Sequence, residues 1–88
     1  MRYTITIDDH DYEGTRIPLE KHETTNQTVQ LTDHLCKIKN WWLSSYGHCP
    51  EERAVQTMKV LLESAVSLRN HGYPYIECTI EGASVVAE

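Results

Sequence analysis

Between Cys49 and Gly72 apolar residues recur at spacings of three and four: Ala54, Val55, Met58, Leu61, Leu62, Ala65 and Leu68. Glu52, Gln56, Lys59, Glu63, Ser67 and Asn70 hold the opposite side, so the segment predicts an amphipathic helix that must lie on something. Pro50 suits its first turn, Glu51 and Glu52 follow where the helix dipole favours negative charge, and Asn70-His71-Gly72 with Pro74 beyond marks its end. A second helix is predicted over Asp33–Tyr46, with Thr32 as N-cap, Leu35, Ile38, Trp42 and Tyr46 as its stripe, and Gly47 closing it. The four-residue link 47–50 is short enough to fold the two helices back on one another as an antiparallel αα-hairpin.

The ends of the chain follow a period of two instead. Tyr3, Ile5 and Ile7 alternate with Thr4, Thr6 and Asp8, which predicts a half-buried strand over Arg2–Asp8. Residues 9–14 read as a polar turn, and Arg16–Leu19 as a poor return strand in which Pro18 permits only an edge or a bulge. Residues 21–27 carry no periodicity and read as a loop, while Thr28–Leu31 allows one short strand. Near the other end Ile76, Cys78 and Ile80 alternate with Glu77 and Thr79. A two-residue turn at Gly82-Ala83 would lead into Ser84–Ala87, with Ile80 opposite Val85 and Cys78 opposite Ala87. The expected fold class is therefore α+β: a small antiparallel sheet of three to five strands, covered on one face by the αα-hairpin, in the order ββ(β)ααββ within a single domain, 1–88.

The 88 residues include 8 basic and 13 acidic side chains, a formal net charge of −5. That balance argues against direct binding of a nucleic-acid backbone and favours a partner with a basic surface. No apolar run approaches the ~20 residues that span a bilayer, so no membrane role is expected. Three cysteines, an odd count without CxxC spacing, together with an opening stretch that lacks an apolar signal, suggest reduced thiols in the cytoplasm. Asn26-Gln27-Thr28 fits a glycosylation sequon and reads as chance in that setting.

Candidate chemistry is sparse. Asp9-His10-Asp11-Tyr12-Glu13-Gly14 with Glu20 approaches the EF-hand loop pattern, yet its fifth position is Glu, Pro18 sits in the exit limb, and a strand precedes it where a helix is needed. The plainer reading is a solvated acidic hairpin loop in which Gly14 supplies the turn, without calcium or any other cofactor. His34 and Cys36 point ~200° apart on a helix and cannot clasp one zinc ion. Cys49, beside His48 at a helix N-terminus, could be an activated thiol, but the sequence offers no further base or oxyanion site. Cys36 and Cys78 read as small core residues. The adjacent Trp41 and Trp42 diverge by ~100°: Trp42 continues the apolar stripe, and Trp41 falls at the margin, across the sheet edge, over the Lys37 stem, or against a partner. Lys37 and Lys39 are too few for a nucleic-acid stacking platform.

These features favour a non-enzymatic binding module that occupies a basic or nucleic-acid-handling partner through Asp8, Asp9, Asp11, Glu13 and Trp41. In size and charge alone the chain resembles small phage or mobile-element inhibitors, such as anti-CRISPR proteins and nucleic-acid mimics. An antitoxin-like regulator, or a metal- or thiol-dependent activity centred on Cys49 and His48, are the alternatives. An exposed sheet edge would allow a homodimer with any of them.

Overall fold

A computed structural model describes residues 1–18 and 27–88. Six elements follow one another: β1 (Tyr3–Ile7), β2 (His10–Gly14), α1 (Gln27–Tyr46), α2 (Glu52–Asn70), β3 (Ile76–Ile80) and β4 (Ala83–Ala87). The strands form one antiparallel sheet in the order β2-β1-β4-β3. The predicted α+β class and ββααββ order are what the structure has, with four strands and two helices. Both ends of the chain lie in the middle of the sheet, where Arg2 and Glu88 exchange backbone hydrogen bonds of 3.1 and 3.0 Å.

The return strand is not where the composition suggested. Asp8 and Asp9 both adopt positive φ, 51° and 63°, and Ile7 pairs with His10, which makes a two-residue type I′ turn. The chain therefore reverses at once, and residues 10–14, expected to be turn, are β2. Asp is among the few non-glycine residues that tolerate this backbone, and the turn's twist matches that of the strands it joins. Residues 15–16 then bend, Ile17 enters the core at 1 % exposure, and Arg69 donates to the carbonyls of Ile17 and Pro18 at 3.2 and 3.0 Å. The poor strand over Arg16–Leu19 is thus replaced, as far as Pro18, by an anchored irregular segment; Leu19, Glu20 and the expected loop up to residue 26 fall outside the described residues.

Helix α1 begins five residues earlier than its apparent cap, taking in the Thr28–Leu31 segment that had the look of a strand. Leu31 stands four residues before Leu35, so the buried stripe is Leu31, Leu35, Ile38 and Trp42. Thr32 lies exposed within the helix and caps nothing. Helix α2 buries Ala54, Met58, Leu61, Leu62, Ala65 and Val66. Its start is two residues later than Pro50, after Glu51 in extended conformation with no side-chain cap. At its other end Gly72, at φ 84°, lets its own N–H reach the Arg69 carbonyl at 2.9 Å and that of Tyr73 reach Leu68 at 3.5 Å, a Schellman closure.

The helices run in opposite directions over one face. His34 meets Tyr3 at one end of α1 and Trp42 meets His10 towards the other, whereas α2 passes from Arg53 beside Asp8 to Arg69 beside Ile17. α1 thereby covers β1 and β2, and α2 covers mainly β3 and β4. In the second hairpin Glu81 and Gly82 take positive φ, 48° and 86°, so the turn is Glu81-Gly82 and not Gly82-Ala83. Ile80 pairs with Ala83, Cys78 with Val85 and Ile76 with Ala87. This differs from the expected register by two residues along β4, so the apolar face still points inward, as a period of two requires.

Candidate binding surface

The side of the sheet away from the helices is uncovered by any described element. Alternation places Thr4, Thr6, Asp11, Glu13, Glu77, Thr79, Ser84 and Val86 there. The register arranges them in two rows that cross the sheet: Glu13–Thr4–Val86–Glu77 and Asp11–Thr6–Ser84–Thr79. The middle positions are half-buried, while Asp11, Glu13, Glu77 and Thr79 on the two outer strands are exposed. None of these eight residues is basic; Arg2 stands at one margin beside Glu88. A shallow depression of about 430 Å³ spans that corner, lined in part by Arg2, Thr4, Glu13, Val86 and Glu88. The surface is a flat floor of hydroxyls and methyls with carboxylates at both sides.

The acidic residues singled out in the sequence do not form one loop. Asp11 and Glu13 lie two apart on β2, facing this open side, and Asp9 caps the turn. Asp8 is engaged: the Arg53 guanidinium donates to both its oxygens, at 3.0 and 3.2 Å. With both side chains about half exposed, that pair is worth about 0–1 kcal/mol. Because residues 10–14 are strand and Gly14 sits in the ladder opposite Tyr3, the EF-hand arrangement is absent, and Gly14 supplies no turn. It supplies space, since a Cβ there would overlap the ring of Tyr3.

Trp41 lies on the other side of β2. It is half-buried, with its ring edge-on to Tyr12 at 5.2 Å and to Tyr46 at 5.5 Å, and so crosses the sheet edge. Trp42 is 4 % exposed and carries His10 stacked on its indole at 4.3 Å, with Tyr46 edge-on to the same imidazole at 4.0 Å. His10 Nδ1–H donates to the Asp8 carbonyl at 2.6 Å, which ties the stack to the turn. The two tryptophans thus fasten the C-terminal half of α1 over an edge strand whose own inward side chains are His10 and Tyr12.

No protein-family model, curated protein or solved structure matches the chain. The thiols and imidazoles are separately placed. Cys36 is exposed, not a core residue, because it stands one position off the Leu35 stripe and faces outward; Cys49 is also exposed and Cys78 half-buried. His48 Nδ1–H donates to the Cys49 carbonyl at 3.0 Å, a bond to backbone and not to the thiol. Among the described residues no three His, Cys, Asp or Glu side chains converge on a metal position, and no helix is long and apolar enough to cross a membrane. Tyr3 hydrogen-bonds His34 Nε2. Burial, and then the nearby Tyr12, push the Tyr3 phenol well above its ordinary pKa, and burial followed by Lys37 lowers that of His34. Both stay neutral at pH 7.

The open-face set was missed in the sequence only in part. Thr4, Thr6, Glu77 and Thr79 are the polar half of visible alternations. What was needed to join them to Asp11 and Glu13 was β2, which the sequence hid.

Proposed function

We propose that this protein is a non-enzymatic binding module whose uncovered sheet face occupies a basic surface of a nucleic-acid-handling protein, as an inhibitor or regulator of the phage or mobile-element type. The observation that carries the reading is the layout of that face. Carboxylates of Asp11 and Glu13 along one side, and of Glu77 on the other, flank a hydroxyl floor that contains no basic side chain. Exposed carboxylates on rigid strands present fixed negative charge to a partner's Lys and Arg side chains, and such complementarity speeds encounter and selects the partner. Asp9 at the turn tip extends the same charge, whereas Asp8 is already paired with Arg53. Trp41 acts chiefly to hold α1 on β2.

The test is capture from bacterial lysate by the immobilised protein, set beside a variant with Asp9→Asn, Asp11→Asn and Glu13→Gln. The expected result is retention of nucleic-acid-binding proteins that salt and added duplex DNA release, and loss of that retention in the variant while its melting temperature is unchanged. Retention that neither salt, DNA nor the three substitutions reduce would refute the proposal.

A further inference from the structure

Among the described residues the sheet has two unpaired edges of equal length, β2 and β3, and they differ in what they would do to a copy of themselves. In each hairpin a two-residue turn closes on a pair that exchanges both backbone hydrogen bonds, Ile7 with His10 and Ile80 with Ala83. Bonding direction alternates along an antiparallel strand. The residues whose N–H and C=O groups point outward are therefore Asp11 and Glu13 on β2, and Glu77 and Thr79 on β3. These are the groups a further strand would engage.

Consider a two-fold axis through the middle of each edge. About Tyr12, the axis sets Asp11 opposite Glu13 of the second copy, and Glu13 opposite its Asp11. Two carboxylate pairs face each other directly, a destabilising arrangement that guards the edge. About Cys78, Glu77 falls opposite Thr79 of the second copy and Thr79 opposite its Glu77, so four backbone hydrogen bonds form without a like-charge contact. The inward positions of β3 are Ile76, Cys78 and Ile80, the first buried and the others half-buried. Helical spacing sets Thr57, Val60, Ser64 and Leu68 in one stripe of α2, the helix packed against β3; the stripe begins with Arg53, whose charge is paired with Asp8, and Val60 is 47 % exposed. Tyr73 and Tyr75, 53 % and 51 % exposed, lead into the strand.

We propose that a second copy of this chain pairs with β3, antiparallel and centred on Cys78, to give a homodimer with one continuous eight-stranded sheet. The uncovered face then doubles in width, and the Glu77 carboxylates come to its centre. Cys78 faces its counterpart in a non-hydrogen-bonded pair, where Cα atoms stand ~4.5 Å apart, within disulfide range.

Sedimentation of the intact chain across micromolar to millimolar concentration should show a reversible dimer. Thr79→Glu places a carboxylate opposite Glu77 twice and should weaken the dimer about tenfold or more, while Thr79→Lys should tighten it several-fold. Both side chains face solvent, so neither variant should shift the melting temperature of the monomer. In a Cys36→Ser, Cys49→Ser background, diamide should take two electrons and two protons from a pair of Cys78 thiols and yield a disulfide-linked dimer, and Thr79→Glu should suppress it. A monomer at every concentration overturns the proposal. So does a dimer indifferent to both Thr79 variants, or one that Cys78 does not link. Asp11 and Glu13 take no part in this seam, so the outcome is independent of the capture experiment.

Discussion

Replacing Gly14 by Ala adds a single methyl group, and the structure gives the change a definite sign. On backbone grounds alone it should stabilise the protein by about 0.4–1 kcal/mol, because glycine loses more freedom on folding and φ at position 14 is not positive. The methyl, however, would lie inside the ring of Tyr3, against Cε1, Cζ and Oη. Tyr3 is 2 % exposed, and its hydroxyl is committed to His34, so the ring has nowhere to swing without breaking that bond. Overpacking costs about 1–3 kcal/mol and loss of the hydrogen bond about 1 kcal/mol. A net loss of about 1–3 kcal/mol is expected, from a total of about 4–13 kcal/mol for a chain of this length. Urea unfolding followed by tryptophan fluorescence would measure it, and the melting temperature should fall by about 5–20 °C. The double variant with Tyr3→Leu separates the terms: in that background Gly14→Ala should be neutral or stabilising, leaving a coupling energy of opposite sign to the single loss. Gly14→Ala that raises the urea midpoint in the otherwise unaltered protein would show that the ring does not cover position 14.

Leu61 is fully buried beneath α2, and Leu61→Ala should cost about 2–5 kcal/mol in the same unfolding measurement; a loss below about half a kcal/mol would mean that the inward face of α2 is misplaced. His34 predicts a pH dependence. Its pKa is lowered in the folded state, so its contribution is fully present above the unfolded value near 6.5 and is lost as pH falls from there through the folded pKa. Stability measured between about pH 7.5 and 5 should therefore fall less steeply in His34→Gln than in the parent, and identical slopes would exclude the role.

Much of the architecture was legible because burial and periodicity agree in β1, α2, β3 and β4. Ile5, Ile7, Leu61, Leu62, Ile76 and Val85 are all among the most buried residues, and all stand where simple alternation or helical spacing puts them. Strand β2 was illegible for a physical reason: its inward positions are His10, Tyr12 and Gly14, and only Tyr12 reads as apolar. The burial there is completed from outside the strand, by Tyr3 lying over Gly14 and by the indoles of α1. The start of α1 was obscured by Thr32, a good cap residue in a position that requires none. As for the binding surface, Asp11 and Glu13 could be named as acidic, but not seen to share a face with Thr4, Thr6 and Glu77, since that relation exists only across strand pairings.

The adjacency of the two chain ends has a kinetic consequence. Each hairpin and the helical pair is local, joining residues that are near in sequence, and can form early. Pairing β1 with β4 instead closes a loop of nearly the whole chain, an entropic cost that neither hairpin repays alone. Folding should thus be limited by the meeting of the two halves, with two preformed hairpins docking edge to edge beneath the helices. Joining residue 88 to residue 1 through a short turn and opening the chain between Gly47 and Glu51 would turn that distant pairing into a third hairpin. Such a circular permutant keeps every strand contact and should fold faster than the natural order, with α1 and α2 becoming the distant pair.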